Sequence, residues 1–281
     1  MREAIDERHA NEVAQLSERG QFGGAPTLWD AIRSEAEDLA RQEPILGSFY
    51  HATILNHDSL AAALSFQLAS KLDSTVLPAL LIREVITDAV EQDPSILKAA
   101  EIDIIATHTR DAACQHFSTP LLYFKGFLAL QSHRVAHWLW QQGRTALALF
   151  LQGQVSTTMA VDIHPAARIG SGIMLDHATG IVIGETCVVE DDVSILHSVT
   201  LGGTGKEGGD RHPKIRHGVL IAAGAKVIGN IEIGAGAKIG AGSVVLQDVP
   251  PHTTVAGVPA RVVGTPGCDS PALDMNHGLE S

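Results

Sequence analysis

The sequence predicts an α+β fold, in which an α-helical N-terminal domain is followed by a left-handed parallel β-helix with one extended loop at about residues 202–220. Three observations predict it. In the first half of the 281-residue chain, apolar residues recur at spacings of three and four, as on one face of a helix. In the second half they recur at every sixth position. Of the 27 glycines, 18 lie within residues 161–264, where a repeat of short strands needs tight corners.

The helical domain is predicted over residues 26–158, after a polar extension at 1–25. Asp58 or Ser59 offers an N-cap for its second helix, because a side-chain oxygen there can accept a hydrogen bond from a free backbone N–H group. The last helical stretch is expected to break into two pieces near Gly143. The predicted helical segments are 28–42, 59–72, 78–92, 95–112 and 120–152.

The β-helix is predicted over residues 159–264, with a flexible tail at 265–281. A six-residue period is neither that of an α-helix nor that of a strand, and it is typical of a repeat architecture. Three such strands make one triangular coil of about 18 residues, whose apolar side chains point inward and stack on those of the next coil. The series is interrupted at 202–220, where an inserted loop is expected. The apolar positions are Ile163, Ile169, Leu175 and Ile181, then, after a phase slip of two, Ile183, Val189, Ile195 and Leu201, and finally Ile221, Val227, Ile233, Ile239 and Val245.

Composition and charge exclude several classes of function. The formal charge of −12 argues against nucleic acid or an anionic membrane as the main partner. The sequence contains no apolar run long enough to cross a bilayer, and the N-terminal residues are too polar for a signal peptide. Three widely spaced cysteines without a CxxC motif favour reduced thiols, so we expect a cytoplasmic protein.

One tract of the predicted β-helix, residues 161–180, carries chemistry. His177 follows the ladder residue Leu175 by two positions, so it should lie at a face or corner rather than in the core. A histidine there can take up a proton near neutral pH if a carboxylate orients its other nitrogen. Asp162 is 15 residues earlier, close to one coil, so the two side chains could meet. An exposed or structurally satisfied imidazole remains the alternative.

Two other motifs do not carry function. In the predicted loop, Gly205-Lys206 is followed by Glu207, where a phosphate-binding P-loop needs Ser or Thr. The HRVAH segment at 133–137 has Arg134 where the zinc motif HExxH has Glu, so a packed or hydrogen-bonded role is expected for its histidines.

Four stretches together are similar to the serine O-acetyltransferase family, and the similarity covers roughly residues 28–264. They are STPLLYFKGFLALQSHRVAHWLW (118–140), VDIHPAARIGSGIMLDHATGIVIGET (161–186), SVTLGGTGKEGGDRHPKIR (198–216) and PPHTTVAGVPARVVG (250–264). The resemblance implies transfer of the acetyl group of acetyl-CoA to the hydroxyl of L-serine, as a step of cysteine biosynthesis. It implies acetyl-CoA as co-substrate, no tightly bound cofactor and no metal.

The resemblance also assigns site residues. His177 resembles the general base and Asp162 the carboxylate that orients it. Arg211 and His212 resemble the residues that hold the carboxylate of serine. The counterparts of its ammonium partners are Asp111 and Asp176. The residues in positions that match the CoA-binding groove are Gly203, Thr204, Ala223, Lys238 and Ala241.

Assembly and regulation are implied in the same way. In the family the CoA groove lies between subunits, so a homotrimer is implied, and the helical domains join two trimers. L-cysteine is implied as a feedback inhibitor. The family also docks its C-terminus, commonly ending in isoleucine, into O-acetylserine sulfhydrylase. Because this sequence ends in Ser281, we expect that complex to be weak or absent.

Three other functions compete with this interpretation. Another hexapeptide acyltransferase, acting on a sugar hydroxyl or an amine, would share the β-helix but typically lacks the helical domain. A γ-type carbonic anhydrase, also a left-handed β-helix, would bind zinc through histidines of adjacent subunits, such as His164, His177 and His197. A catalytically silent scaffold would only bind a sulfhydrylase.

Overall fold

A computed structural model describes residues 27–205 and 208–279 of the protein. The predicted polar extension at 1–25 lies outside the described residues, and so do Lys206 and the terminal Ser281. Within the described ranges, no helix combines the length and apolarity that a membrane span requires.

The N-terminal half is helical, as predicted. Thr27 caps the first helix in a capping box: its side chain accepts a hydrogen bond from the Asp30 amide, and the Asp30 side chain accepts one from the Thr27 amide. Ser59 caps the second helix by accepting a hydrogen bond from the Ala62 amide. The helices are α1 (Leu28–Gln42), α2 (Leu60–Leu72), α3 (Ala79–Gln92), α4 (Ser95–Arg110), α5 (Ser118–Tyr123), α6 (Lys125–Gln141) and α7 (Thr145–Met159), with short helical turns at Pro44–Leu46, Gly47–Tyr50 and His51–Leu55.

The predicted segment 120–152 differs from the structure in its breaks. It is divided near Gly143, as predicted, and also at Phe124, whose backbone is extended between α5 and α6. The second break is important for the site, because it places the first residue of α6 beside the β-helix.

The C-terminal half is a parallel β-helix of three sheets. The inward-facing side chains form apolar ladders, and burying each contributes roughly 1.5–3 kcal/mol to stability. Sheet I contains β1 (Val161–Ile163), β4 (Ile181–Ile183), β7 (Thr200–Gly202), β10 (Lys226–Ile228) and β13 (Val244–Val245). Sheet II contains β2 (Arg168–Ile169), β5 (Val188–Val189), β8 (Lys214–Ile215) and β11 (Glu232–Ile233). Sheet III contains β3 (Met174–Asp176), β6 (Ser194–Leu196), β9 (Leu220–Ile221), β12 (Lys238–Ile239), β14 (Thr254–Gly257) and the antiparallel β15 (Ala260–Gly264).

The coils are not all of the same length. Ile183 pairs with Leu201 of the next coil, 18 residues on, whereas Ile163 pairs with Ile183, which is 20 residues on. The phase slip seen in the sequence is therefore an enlargement of the first coil by two residues. These residues lie between Asp176, which pairs with Leu196, and Gly180, which occupies the same corner position as Ser198.

The extended loop is shorter than predicted. It runs from the end of β7 at Gly202 to the start of β8 at Lys214. Ile215 pairs with Val189 and Ile233 and so continues the inner ladder. The prediction of 202–220 was wrong at its C-terminal end because charged neighbours hid this single apolar residue.

The helical domain and the first coil share a buried carboxylate. Asp103 of α4 is completely buried. It accepts hydrogen bonds from Arg134 Nη2 at 2.7 Å, from Gln131 Nε2 at 2.9 Å and from the Ile173 amide at 2.9 Å. Arg134 also donates to the Gly170 carbonyl at 2.7 Å. An unpaired charge in this place would be strongly destabilising, so the stability of the fold depends on these three donors.

The two histidines of the HRVAH segment lie in the same junction. His133 is buried, and the Nδ1 atom of His137 is 2.7 Å from the Pro165 carbonyl oxygen. Burial lowers the pKa of both imidazoles, because the charged form loses its hydration. Both have the packed or hydrogen-bonded role that the sequence predicted.

The tail differs from the flexible segment that was predicted. Residues 265–279 pack along the outer face of sheet III and contain the short helix α8 (Pro271–Asp274). The Ala272 amide donates to the Gly218 carbonyl at 3.2 Å, and its carbonyl accepts from Ser194 Oγ at 2.9 Å. Buried Pro271 and Ala272 therefore attach the tail to the β-helix.

Candidate active site

His177 lies on a bulge at the corner between sheets III and I. The bulge, residues 177–180, contains the two additional residues of the first coil. The backbones of His177 and Ala178 are both left-handed, with φ of 53° and 57°, a conformation that residues other than glycine rarely adopt. Ala178 is buried, whereas the His177 side chain is 76% exposed. The imidazole is therefore exposed at a strained corner, a kind of position that often belongs to a functional site.

Two side chains lie close to the His177 ring. The Nε2 atom is 3.8 Å from Asp176 Oδ1. The ring of His197 lies edge-on, with a centroid distance of 5.9 Å. His197 follows β6 at the same corner, one coil further, and its buried Nδ1 has no hydrogen-bond partner within the described part of the chain. From the sequence, the only role suggested for His197 was that of a zinc ligand.

Asp162 is not joined to His177 by a hydrogen bond in the described residues. It lies in the middle of β1 and points outward from sheet I, and its Oδ1 accepts a hydrogen bond from Gln152 Nε2 at 2.6 Å. The register pairs Asp162 with Val182, beyond the bulge. The orienting role of Asp162 therefore stays a prediction.

Arg211 and His212 form a second cluster at the corner between sheets I and II. Thr186 Oγ1 accepts hydrogen bonds from the amides of both residues, at 3.0 and 3.1 Å. The His212 ring lies against Gly184, where a Cβ atom would come within 2.1 Å of it, so only glycine leaves room for the ring. Arg211 Nη2 pairs with Glu185 Oε2 at 2.6 Å.

Electrostatics in this cluster follow from burial and from Arg211. Desolvation is the main cause that lowers the pKa of His212, and the Arg211 charge lowers it further. The hydrogen bond from Arg211 holds the pKa of the Glu185 carboxyl below its usual value. The cluster therefore contains the Arg211 guanidinium, which is already paired with the Glu185 carboxylate, and the His212 imidazole, which is largely neutral.

One chain does not bring these two clusters together. The bulge precedes β4 of sheet I, and Glu185 and Thr186 follow the same strand. The predicted base therefore lies at the corner before the strands of sheet I, and the predicted carboxylate binders lie at the corner after them. Asp111 belongs to neither cluster. It is the C-cap residue of α4 and accepts a hydrogen bond from the Ala113 amide at 2.8 Å.

The predicted CoA-binding residues divide among three places. Ala223 and Ala241 continue the corner that carries His197, as the hydrogen bonds from Gly224 to the His197 carbonyl and from Gly242 to the Ala223 carbonyl show. Both side chains are small, Ala223 is partly buried and Ala241 is exposed. Gly203 and Thr204 lie at the start of the loop, at the other end of sheet I.

Lys238 lies on the outer face of sheet III and is covered by the tail. Its ammonium donates a hydrogen bond to the Gly278 carbonyl, and a side-chain carbon of Leu279 approaches Gly240. Burial lowers the pKa of this lysine. A phosphate that binds Lys238 would have to displace residues 278–279.

The three histidines considered as zinc ligands do not share one place. His164 packs edge-on against Trp140, with ring centroids 5.1 Å apart, whereas His177 faces His197. Within residues 27–205 and 208–279, no group of three His, Cys, Asp or Glu side chains has an arrangement that could hold a metal ion.

Comparison with known sequences and structures identifies the family. A family profile described as the N-terminal domain of serine acetyltransferase matches residues 28–132, and a profile of six bacterial transferase hexapeptide repeats matches residues 212–247. Serine acetyltransferase of Escherichia coli K12 is 66% identical over 250 residues, which are 89% of this chain and 92% of that protein. The chain belongs to the serine acetyltransferase family.

Other members of the serine acetyltransferase family agree in sequence and in fold. The enzyme of Haemophilus influenzae is 59% identical over 89% of this chain and 94% of its own. The crystal structure of serine acetyltransferase from Vibrio cholerae has a TM-score of 0.89 and 66% identity, and the match covers 89% of this chain and 97% of that one. A serine acetyltransferase in complex with cysteine has a TM-score of 0.88 and 58% identity, with coverage of 89% and 98%. The predicted resemblance, the two-part fold and the acyltransferase class are confirmed.

Several residues of the site carried no signal in the sequence. Glu185 and Thr186 form hydrogen bonds with Arg211 and His212, which follow them by 25 or 26 residues in the chain. Lys125 donates a hydrogen bond to Thr179 Oγ1 on the bulge, 54 residues away. These contacts are long-range, so no motif spacing marks them.

Proposed function

We propose that this chain transfers the acetyl group of acetyl-CoA to the hydroxyl of L-serine and releases O-acetylserine and CoA, as a step of cysteine biosynthesis. The observation that carries the proposal is the 66% identity to a serine acetyltransferase over both halves of the chain. The presentation of His177 on an exposed bulge supports it. Acetyl-CoA is a co-substrate, and a related structure from Brucella abortus, with 54% identity and a TM-score of 0.84, is a complex with coenzyme A.

In this mechanism His177 is the general base. A serine hydroxyl is a weak nucleophile near neutral pH, and an adjacent imidazole that accepts its proton makes the oxygen able to attack the thioester carbon. The tetrahedral intermediate collapses with loss of the CoA thiolate, which the imidazolium can protonate. Asp162 would orient the imidazole in the assembled enzyme.

No acyl-enzyme is needed, and the described cysteines support a direct attack. Cys114 and Cys187 are buried, and burial raises the pKa of each thiol to about 12, so neither is a ready nucleophile. Both, like Cys268, are free thiols, which supports the predicted cytoplasmic location.

Serine would be held by its two charged ends. Arg211 and His212 suit its carboxylate, and Asp111 and Asp176 suit its ammonium group. Since Arg211 is paired with Glu185, a bound carboxylate would compete with that side chain for the guanidinium.

We infer a homotrimer, as the family resemblance implies, and the position of the base and the carboxylate binders at opposite ends of the sheet I strands supports a site that two subunits share. A neighbouring β-helix can place its own Arg211 corner against the His177 corner of the first. Exposed apolar side chains of the helical domain, such as Ile45 at 85% and Leu80 at 69%, support a further contact that joins two trimers.

The reaction is tested by CoA release from acetyl-CoA with different acceptors. L-serine should support turnover at least about tenfold faster than L-homoserine, because one additional methylene moves the hydroxyl away from His177. A sugar acceptor, which lacks both charged ends, should give only background hydrolysis. Equal rates with a sugar would instead assign the chain to another class of hexapeptide acyltransferase.

L-cysteine should compete with L-serine for the same site, since it presents the same carboxylate and ammonium groups. Steady-state rates at several serine concentrations should show the cysteine inhibition relieved by serine. In Arg211→Gln, the KM for serine and the inhibition constant for cysteine should both rise about ten- to a hundredfold, the loss expected for one charge-assisted contact. Inhibition that does not depend on serine concentration would contradict a shared site.

A further inference from the structure

The N-terminus of α6 lies directly against the bulge that carries His177. A Cβ atom on Gly126 would come within 2.1 Å of the Leu175 carbonyl oxygen and 3.0 Å of Ala178 Cβ. Only glycine therefore allows this approach of helix backbone to strand backbone. The helix begins where it does because the chain is extended at Phe124, immediately before it.

Lys125 is the first residue of α6, and its place there does not serve the helix itself. A cation at a helix N-terminus opposes the helix dipole, and Phe124 provides no side-chain cap. The Lys125 ammonium instead donates a hydrogen bond to a residue outside the helix, at Thr179 Oγ1 on the bulge. This contact joins the helical domain to the residue two positions after His177.

Thr179 is also tied to the next coil. Its carbonyl accepts a hydrogen bond from the Ser198 amide at 2.8 Å, and its own amide donates to the His177 carbonyl at 2.7 Å. The segment between these bonds includes the two left-handed residues, His177 and Ala178. Such a backbone keeps one conformation only when its surroundings determine it. Lys125, Thr179 and Ser198 provide that support on one side of the bulge.

We propose that Lys125 is a positioning residue, which acts through Thr179 to hold the bulge, and with it the His177 imidazole, in the orientation that accepts the serine proton. This rests on the proposed function, in which His177 is the base. It assigns the helical domain a part in the chemical step, because the cation comes from α6 and the base from the β-helix. A misplacement of the base by about 1 Å is enough to lower the rate about a hundredfold.

The test is a double-mutant cycle with Lys125→Met, which keeps the unbranched stem of the side chain and removes the donor, and Thr179→Val, which keeps its shape and removes the acceptor. Each should lower kcat about 10- to 100-fold, with KM for serine and acetyl-CoA within about twofold. The double variant should be no slower than the slower single variant, because both changes remove one interaction. Thr179→Ser, which retains a hydroxyl, should recover most of kcat. Lys71→Met, which changes an exposed lysine of α2, is the matched control and should keep the parent kcat.

The outcomes separate the two proposals. If Lys125→Met keeps kcat within about twofold while His177→Ala is inactive, the role of Lys125 is wrong and the proposed function stands. Multiplicative losses in the double variant would also overturn the role, because the lysine would then act without Thr179. If His177→Ala itself retains activity, the general base is wrong. The kcat values are taken per mole of folded chain, with circular dichroism and the thermal midpoint as checks on the fold.

Discussion

Replacing His177 by alanine is expected to lower kcat by about two to four orders of magnitude, the usual contribution of a general base. The imidazole is exposed on a bulge that the regular coil does not have, and its removal leaves the serine hydroxyl without a proton acceptor. Initial rates of CoA release at saturating serine and acetyl-CoA measure the effect. KM for acetyl-CoA should change little, because the change removes a group that acts in the chemical step.

His217→Ala is the matched control for this experiment. His217 is 67% exposed, and its Nδ1 is 3.8 Å from Glu190 Oε2, so it resembles His177 in exposure and in distance to a carboxylate. It lies at the corner between sheets II and III, away from both clusters. Its replacement should leave kcat within about twofold. A His177→Ala enzyme as active as His217→Ala would exclude His177 as the base.

Replacing Asp103 by alanine is expected to lower the free energy of unfolding by about 3–5 kcal/mol, the cost of leaving a buried charge without its partner. Arg134 would lose its 2.7 Å ion pair in a place where it is only 9% exposed, and the Ile173 amide would lose its acceptor. Urea unfolding, followed at one fixed protein concentration because assembly also contributes, measures the change.

Asp38→Ala provides the comparison for a surface ion pair. Asp38 pairs with Arg41 in α1, and both side chains are more than half exposed. Water screens such a pair, so its loss should cost no more than about 1 kcal/mol. If Asp103→Ala were as stable as Asp38→Ala, the buried network would not hold the helical domain to the first coil.

Much of the fold could be predicted because its signals are local and periodic. Apolar residues at every sixth position have to face one interior, and this rule located most of the ladder. It failed at Ile215, where a single apolar residue stands between charged neighbours. It also left the tail as a flexible segment, because residues 265–279 show no period of their own and pack only against a surface that the rest of the chain builds.

The sequence predicts which residues form the site, but not where they lie relative to one another. His177, Arg211 and His212 are marked by their motifs. They lie at opposite ends of the sheet I strands, and the phase slip of two that the sequence shows could be placed in the first coil only from strand pairing. The separation of the two clusters in one chain supports the proposal that two subunits share the site.

Residue types that repeat, or that match over long stretches, were sufficient to predict the two-part architecture, the inner ladder and the family. Which side chains are held by distant partners depends on how the elements pack. Asp103 stands among isoleucines in a helix, and only its donors on α6 and on the first coil, 28 to 70 residues further along the chain, make it a buried acceptor. Lys125 likewise reads as a surface cation until the bulge is placed beside it. Long-range polar contacts leave no local pattern, since each partner keeps the spacing and composition of its own element.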